Sequence, residues 1–318
     1  MIVRVLCAIF LMFQTHTVFS ENYSTREDVK KFVRNLAISK NFSESELLDI
    51  FSEAEYKKSI IEAISRPAEK ILEWSEYQDI FLREPRISAG KRFMKTYDDT
   101  LNRAWEVYGV PPAVVTAVIG VETMYGRYLG NYRVLDALTT LAFDYPPRAS
   151  FFRKELYEFF LLAREEKQNI TELRGSYAGA MGYGQFISSS FRSYAVDFDG
   201  DGIRDIWRNP VDAVGSVANY LSEHGWSDGQ VAVRLDVKDV DDSIFNVSLK
   251  PSFIWSDIEQ FGVIAGAQQN ALVSPMKLLG KKGSEYWLGF NNFYVITRYN
   301  HSKLYAMAVF QLSEALNK

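Results

Sequence analysis

Glu122 closes a nearly continuous apolar stretch, AVIGVETMYGRYLG over residues 117–130, and a carboxyl in that setting can hold and deliver a proton. Pro111 and Pro112 suit the first turn of a helix, and from Val114 to Val121 only Thr116 interrupts the apolar or small residues. On a helix, Val115, Val118 and Ile119 lie seven, four and three positions before Glu122, on the same core-facing stripe. Burial beside such a stripe disfavours the charged carboxylate and raises its pKa, as a general acid working near neutral pH requires. Two readings stand on this pattern: a proton donor, or a structural carboxylate marking the helix end and salt-bridged to Arg127.

Two further segments carry chemistry. In GSYAGAMGYGQFISSSF, residues 175–191, small residues would let the backbone approach a ligand closely. Tyr177 and Tyr183 offer flat faces there, and Ser176 and Gln185 offer hydrogen bonds, a lining suited to a sugar. A helix-packing turn is the plainer reading. The segment DFDGDGIRDIWRNPVD, residues 197–212, puts Asp197, Asp199 and Asp201 at positions 1, 3 and 5 of a calcium-type loop, Gly202 at 6, the Ile203 carbonyl at 7 and Asp205 at 9. Arg208 stands at position 12, where a bidentate Glu is expected, and Asp212 is placed to close the site instead. Carboxylates this close repel one another without a hard cation, so structural calcium is expected over a solvated acidic turn.

The elements that must position these groups read as mostly helical. Helices are expected in 21–108, including SESELLDIF capped by Ser43 with Glu46, and a long amphipathic run from Ala89 to Gly109. They continue over 112–124, 133–142, 147–166, 185–195 and 210–224. QVAVRLDV, SFIW, ALVSP, EYWLGF and FYVITRY read as short strands in a β-containing region at 228–298, before a final helix over 299–318. Residues 109–227 then form the core that carries Glu122 and the acidic loop.

Residues 1–20, with Arg4 ahead of the apolar run Val5–Phe13 and Val18 and Ser20 at cleavage-site positions, read as a removable export signal. The single cysteine, Cys7, lies inside that run, so the exported chain is expected to hold no disulfide, and Leu6–Cys7 falls too early for a lipid anchor. A soluble periplasmic protein is expected, with a retained membrane anchor as the alternative. The net charge of −4 argues against nucleic acid as a partner. His224 and His301 are the histidines left after export, too few for a zinc site without cysteine.

Six segments in order, GVETMYGR, NYRVLDALTTLAFDYPPR, GSYAGAMGYGQF, VDFDGDG, PVDAVGSVANYL and RYNHSKLYAMAV, closely resemble the membrane-bound lytic murein transglycosylase B family, soluble forms included. The resemblance runs from about Tyr77 to the C-terminus. It implies a lysozyme-like helical core with an added helical domain and a small β domain. It makes Glu122 the single catalytic acid/base, and has Ser176 and Gln185 contact the substrate's N-acetyl and neighbouring groups. It also places Phe186, Tyr220, Tyr299, Asn300, Tyr305 and Tyr77 around the groove, with Arg148 near the peptide or lactyl side. Where the family pattern has two arginines this chain has Pro147 then Arg148, and one extra residue precedes Asp212.

Ordinary glycosidases use two carboxylates. No second acid stands out in the matched segments, where Asp144 is given a structural role. One glutamic acid can still protonate the bond between N-acetylmuramic acid and N-acetylglucosamine, with the 2-acetamido group stabilising the cation, and then serve as base while the C6 hydroxyl closes onto C1. A hydrolytic muramidase and a non-catalytic calcium-dependent glycan-binding module are the alternatives. Peptidoglycan strands are the expected partner of a monomer, with cell-wall remodelling proteins as further candidates.

Overall fold

The computed structural model describes residues 22–66, 72–237, 240–263 and 270–318, so the export signal and Cys7 lie outside it. It separates into two compact units, the first ending at Tyr56 and the second running Lys57–Lys318. The division expected at residue 108 falls inside the second unit. In the first, α1 (Glu27–Lys40) and α2 (Glu44–Glu53) pair through Val29, Val33 and Leu36 against Leu47 and Phe51, with Phe32 edge-on to Phe51 at 5.9 Å. Ser43 caps α2 by accepting from the Glu46 amide, as its sequence signals.

The second unit begins with α3 (Lys58–Ile64), α4 (Trp74–Phe81), α5 (Glu84–Thr96) and α6 (Asp98–Tyr108). The single run expected from Ala89 is broken at Tyr97, whose φ −114 and ψ 29 end α5, and Asp98 and Asp99 open α6, where acidic side chains suit a helix start. Next comes α7 (Pro112–Thr123), buried on every side. It packs against α5, α6, α11 (Pro210–Glu223) and α13 (Lys303–Leu316), so an all-round apolar sequence is what its position demands. Between α7 and α11 lie β1 (Tyr132–Arg133), α8 (Val134–Asp144), α9 (Ala149–Glu165), β2 (Arg174–Gly175) and α10 (Ser188–Tyr194). Strand β1 pairs antiparallel with β2 and ties the loop after α7 to the glycine-rich segment.

An antiparallel four-stranded sheet follows, ordered β3 (Ala232–Leu235), β6 (Gly283–Gly289), β5 (Leu272–Gly280), β4 (Phe253–Ile254). Its own small core gathers Phe245, Trp255, Ile258, Val263, Val273 and Leu288. Four of the five expected strand segments are found. The fifth, FYVITRY, is helix α12 (Asn291–Tyr299). Its β-branched and aromatic residues misled because tertiary packing decides between the two states: Phe293 and Ile296, three apart, are both fully buried, and Asn292 is clamped to Ser227 through both its amide oxygen and nitrogen. The chain after residue 290 is therefore two helices.

Gly130 has φ +92, and an added Cβ would meet the Gly175 carbonyl where β1 and β2 join. Gly130→Ala should therefore cost about 2–4 kcal/mol, read as a lowered urea midpoint with unchanged slope.

Candidate active site

The end of α7 is built with unusual backbone. Met124 and Tyr125 both adopt left-handed φ, 53 and 60, ahead of Gly126 at 86, a conformation that costs free energy in non-glycine residues. Thr123, buried, offsets this: its Oγ1 donates toward the carbonyls of Ile119 and Tyr183 at 3.1 and 3.0 Å and accepts from the Gly126 amide at 3.0 Å. From α5, the Arg86 guanidinium donates to the Gly120 carbonyl and lies over the Phe81 ring at 5.0 Å, placing positive charge at the negative end of α7. Sequence reasoning missed both residues. Thr123 sits beside Glu122 with a helix-end back-bonding pattern that could have been noticed; Arg86, 34 residues away from its partner, leaves no local signal.

Glu122 is half-buried and accepts a 2.7 Å hydrogen bond on Oε1 from the Tyr305 hydroxyl of α13. Arg127, the alternative partner, instead lies over the Tyr128 ring at 5.4 Å and has no carboxylate partner among the described residues. Burial first, and the Glu122 charge second, push the hydroxyls of Tyr299 and Tyr305 well above the usual tyrosine pKa. Tyr305 thus stays a donor across any working pH. The Tyr299 ring lies nearly parallel to Tyr305, 11° apart at 6.4 Å, and its hydroxyl donates to the Gly184 carbonyl at 2.5 Å. Tyr220 donates to the Arg298 carbonyl at 2.6 Å, and burial pushes its hydroxyl up to about 12. Phe186 completes this wall, 5.7 Å from Tyr220 and 5.9 Å from Tyr299.

Tyr77, Phe186 and Tyr220 are only 2, 3 and 7% exposed, so they back the wall more than they face a ligand. Ser176 Oγ accepts from the amides of Ala178 and Ala180 at 3.3 and 3.1 Å, which shapes the loop and leaves its own proton to donate. Gln185, at φ 50, donates through Nε2 to the Gly182 and Leu129 carbonyls and so bridges the glycine-rich segment to the loop after Glu122. The glycines of this segment are required by the packing of the chain on itself. A Cβ at Gly175, Gly179, Gly182 or Gly184 would strike Ala180, Leu138, Ile206 or Tyr299, so the small residues allow the chain to pack on itself. Arg148, Asn300 and Tyr177 line one cavity of about 810 Å³, with Arg148 over the Phe151 ring at 4.3 Å.

In the acidic loop, carboxylate oxygens of Asp197, Asp199 and Asp212 lie within 4.8 Å of one another. Asp212, in the first turn of α11 and fully buried, accepts from the amides of Phe198, Asp199 and Asp205. Its carboxyl is raised by burial and by the Asp199 charge, against those amides. Asp197 accepts from the amides of Gly200, Asp201 and Gly202, whereas Asp201 turns to the Ile203 amide and is not one of the converging three. The set is hard, oxygen-only and mutually repulsive, and fits a divalent cation such as calcium.

A family model described as "Transglycosylase SLT domain" matches residues 24–314. The chain belongs to this family. It is 40% identical over 323 residues to membrane-bound lytic murein transglycosylase B of Escherichia coli K12, covering 96% of this chain and 88% of that protein. The crystal structure of soluble lytic transglycosylase SltB1 from Pseudomonas aeruginosa is similar with a TM-score of 0.87 and 47% identity, over 91% of this chain and 98% of that one. Escherichia coli lytic transglycosylase Slt35 in complex with calcium gives 0.86 and 41%, over 93% and 94%. The match extends upstream of Tyr77, where the sequence resemblance began. The lysozyme-like, mainly helical fold class is that of these relatives.

Tyr305→Phe keeps the ring stack but removes the donor to Glu122. Activity on peptidoglycan should fall about 10- to 100-fold, chiefly in kcat, in steady-state assays of released product.

Proposed function

We propose that this lytic transglycosylase cleaves the β-1,4 bond between N-acetylmuramic acid and N-acetylglucosamine with Glu122 as its acid and then its base. The observation that carries this reading is the buried Tyr305 hydroxyl donating to Glu122 at the end of an apolar helix. A carboxyl so held gives its proton to the glycosidic oxygen as the leaving sugar departs. The muramic acid's own acetamido oxygen stabilises the developing cation at C1, the role a second carboxylate plays elsewhere. Glu122, now ionised and hydrogen-bonded by Tyr305, accepts the proton of the C6 hydroxyl as its oxygen bonds to C1 and forms a 1,6-anhydromuramyl end. Ser176, Gln185 and Asn300 contribute hydrogen bonds to the glycan, Tyr299 an apolar surface, and Arg148 a cation toward its lactyl side. Tyr77, Phe186 and Tyr220 hold the tyrosine wall in place.

The same reading assigns calcium to Asp197, Asp199 and Asp212, with the Ile203 carbonyl; Asp201, turned to the Ile203 amide, would join them only by swinging in. Its role there is structural, neutralising carboxylates packed at the start of α11. One solved relative is a calcium complex. The protein acts as a monomer on peptidoglycan strands after export to the periplasm; no single helix among the described residues is long and apolar enough to cross a membrane.

Digestion of purified peptidoglycan by the parent and by Glu122→Gln tests the assignment. The parent should release muramic ends lighter by one water than hydrolytic ends, and the variant should be slower by about 10²–10⁴-fold. Reducing muramic ends would mean a hydrolytic muramidase instead. Chelation should lower Tm by about 5–10 °C, reversed by added calcium, if the site is filled near 100 times its Kd.

A further inference from the structure

Two buried glycines sit inside helices, where alanine would serve the helix better: Gly90 in α5 and Gly120 in α7. They share one neighbour. A Cβ on Gly90 would lie 2.3 Å from the Tyr125 hydroxyl oxygen, and a Cβ on Gly120 would lie 2.7 Å from the same oxygen and from Cε1 and Cζ of its ring. The two helices therefore leave a slot between them, and the tip of Tyr125 fills it. Phe93 of α5 packs beside it with its ring 5.7 Å from that of Tyr125, and Leu316 of α13 lies against Gly90.

Hydrogen bonding does not account for this tyrosine. Its hydroxyl is shut off from water with no partner among the described residues, and burial holds it neutral, well above the ordinary tyrosine range. The charge that acts on it is the Arg86 guanidinium, which also donates to the Gly120 carbonyl. What the side chain secures is the backbone from which it hangs. Met124, Tyr125 and Gly126 have φ of 53, 60 and 86, a left-handed run that glycine alone adopts without cost. Gly126 has its own reason to be glycine, because a Cβ there would stand 2.1 Å from the Tyr183 ring. The turn is thus held by Tyr183 of the glycine-rich segment and by Tyr125 wedged between α5 and α7. It starts two residues after Glu122, so the end of α7, and with it the direction of the Glu122 carboxyl, depends on the wedge.

We propose that Tyr125 is a positioning residue for the reaction: its ring, seated in the slot between Gly90 and Gly120, fixes the turn that ends α7 and keeps the Glu122 carboxyl on the Tyr305 hydroxyl, 2.7 Å away. The inference rests on the lytic transglycosylase reading above and adds to it a residue that acts through the backbone. Its leverage comes from geometry, since a misplacement of about 1 Å in a reacting group is enough to cost about 10²-fold in rate.

The test uses Gly90→Ala, which leaves Glu122, Tyr125 and Tyr305 unaltered and crowds the slot from another helix. The kcat for glycan cleavage, per folded molecule, should fall about tenfold or more while KM stays within about twofold, the split expected when an interaction is lost in the transition state alone. Deleting the hydroxyl that the new methyl meets should restore part of the loss, so Gly90→Ala/Tyr125→Phe should be about threefold or more faster than Gly90→Ala. If Gly90→Ala does not fold, Tyr125→Leu, which leaves the slot underfilled, carries the same prediction and should be slower than Tyr125→Phe. An unchanged kcat in the folded variant, a loss confined to KM, a double variant no faster than Gly90→Ala, or Tyr125→Leu as fast as Tyr125→Phe overturns the proposal. Cleavage is counted as all new muramic ends, anhydro or reducing, so the result does not depend on which end forms. If the parent cleaves no glycan, the proposed function fails, and crystal structures of the parent and the folded variant judge the wedge alone: a Glu122 carboxyl moved about 1 Å or more from the Tyr305 hydroxyl supports it, and an unaltered hydrogen bond refutes it.

Discussion

A carboxyl group held by a buried tyrosine hydroxyl at the end of an apolar helix is the constraint around which this molecule is arranged. Glu122 sits in α7, and the Tyr305 that donates to it comes from α13, 183 residues later. Neither group tolerates burial alone, because a polar atom withdrawn from water without a partner costs on the order of 1–3 kcal/mol. Together they satisfy one another at the end of α7. The C-terminal helix must therefore return to the core, and the sheet between α11 and α12 is an excursion from which the chain comes back to complete the site.

The same economy governs what surrounds the pair. Left-handed backbone at Met124 and Tyr125 turns the chain sharply at the end of α7, and Thr123 and Arg86 hold the freed helix end. Tyr299 bonds to the Gly184 carbonyl and Gln185 to the Leu129 carbonyl, so the tyrosine wall, the glycine-rich segment and the loop after Glu122 are joined by directed bonds rather than by apolar contact alone. A reacting geometry needs this kind of support, since small displacements of a catalytic group are costly in rate.

What could be read from the sequence was what local physics encodes. The apolar run and its closing glutamate, the Ser43 cap, and the spacing of Asp197, Asp199 and Asp212 all express themselves within one element or loop, and each is found where expected. Residues that meet across long separations were placed through family resemblance rather than periodicity, as with Tyr299 and Tyr305. Arg86, which acts on α7 from another helix, left no trace in either. FYVITRY reads as a strand but is a helix, because β-branched composition is a weak guide once a segment's neighbours bury it, and sequence does not say whether the glycines of 175–184 make room for a ligand or for their own chain.

In the proposed mechanism one carboxyl group performs both proton transfers, and the sugar's own hydroxyl, not water, closes the reaction. Digesting peptidoglycan with the parent protein in water enriched in oxygen-18, and measuring the label in the released muramic ends by mass spectrometry, addresses it directly. Closure by the C6 hydroxyl gives anhydromuramyl ends with no oxygen-18 at C1. Label at C1 of the newly formed ends, appearing at the rate of cleavage, would contradict it.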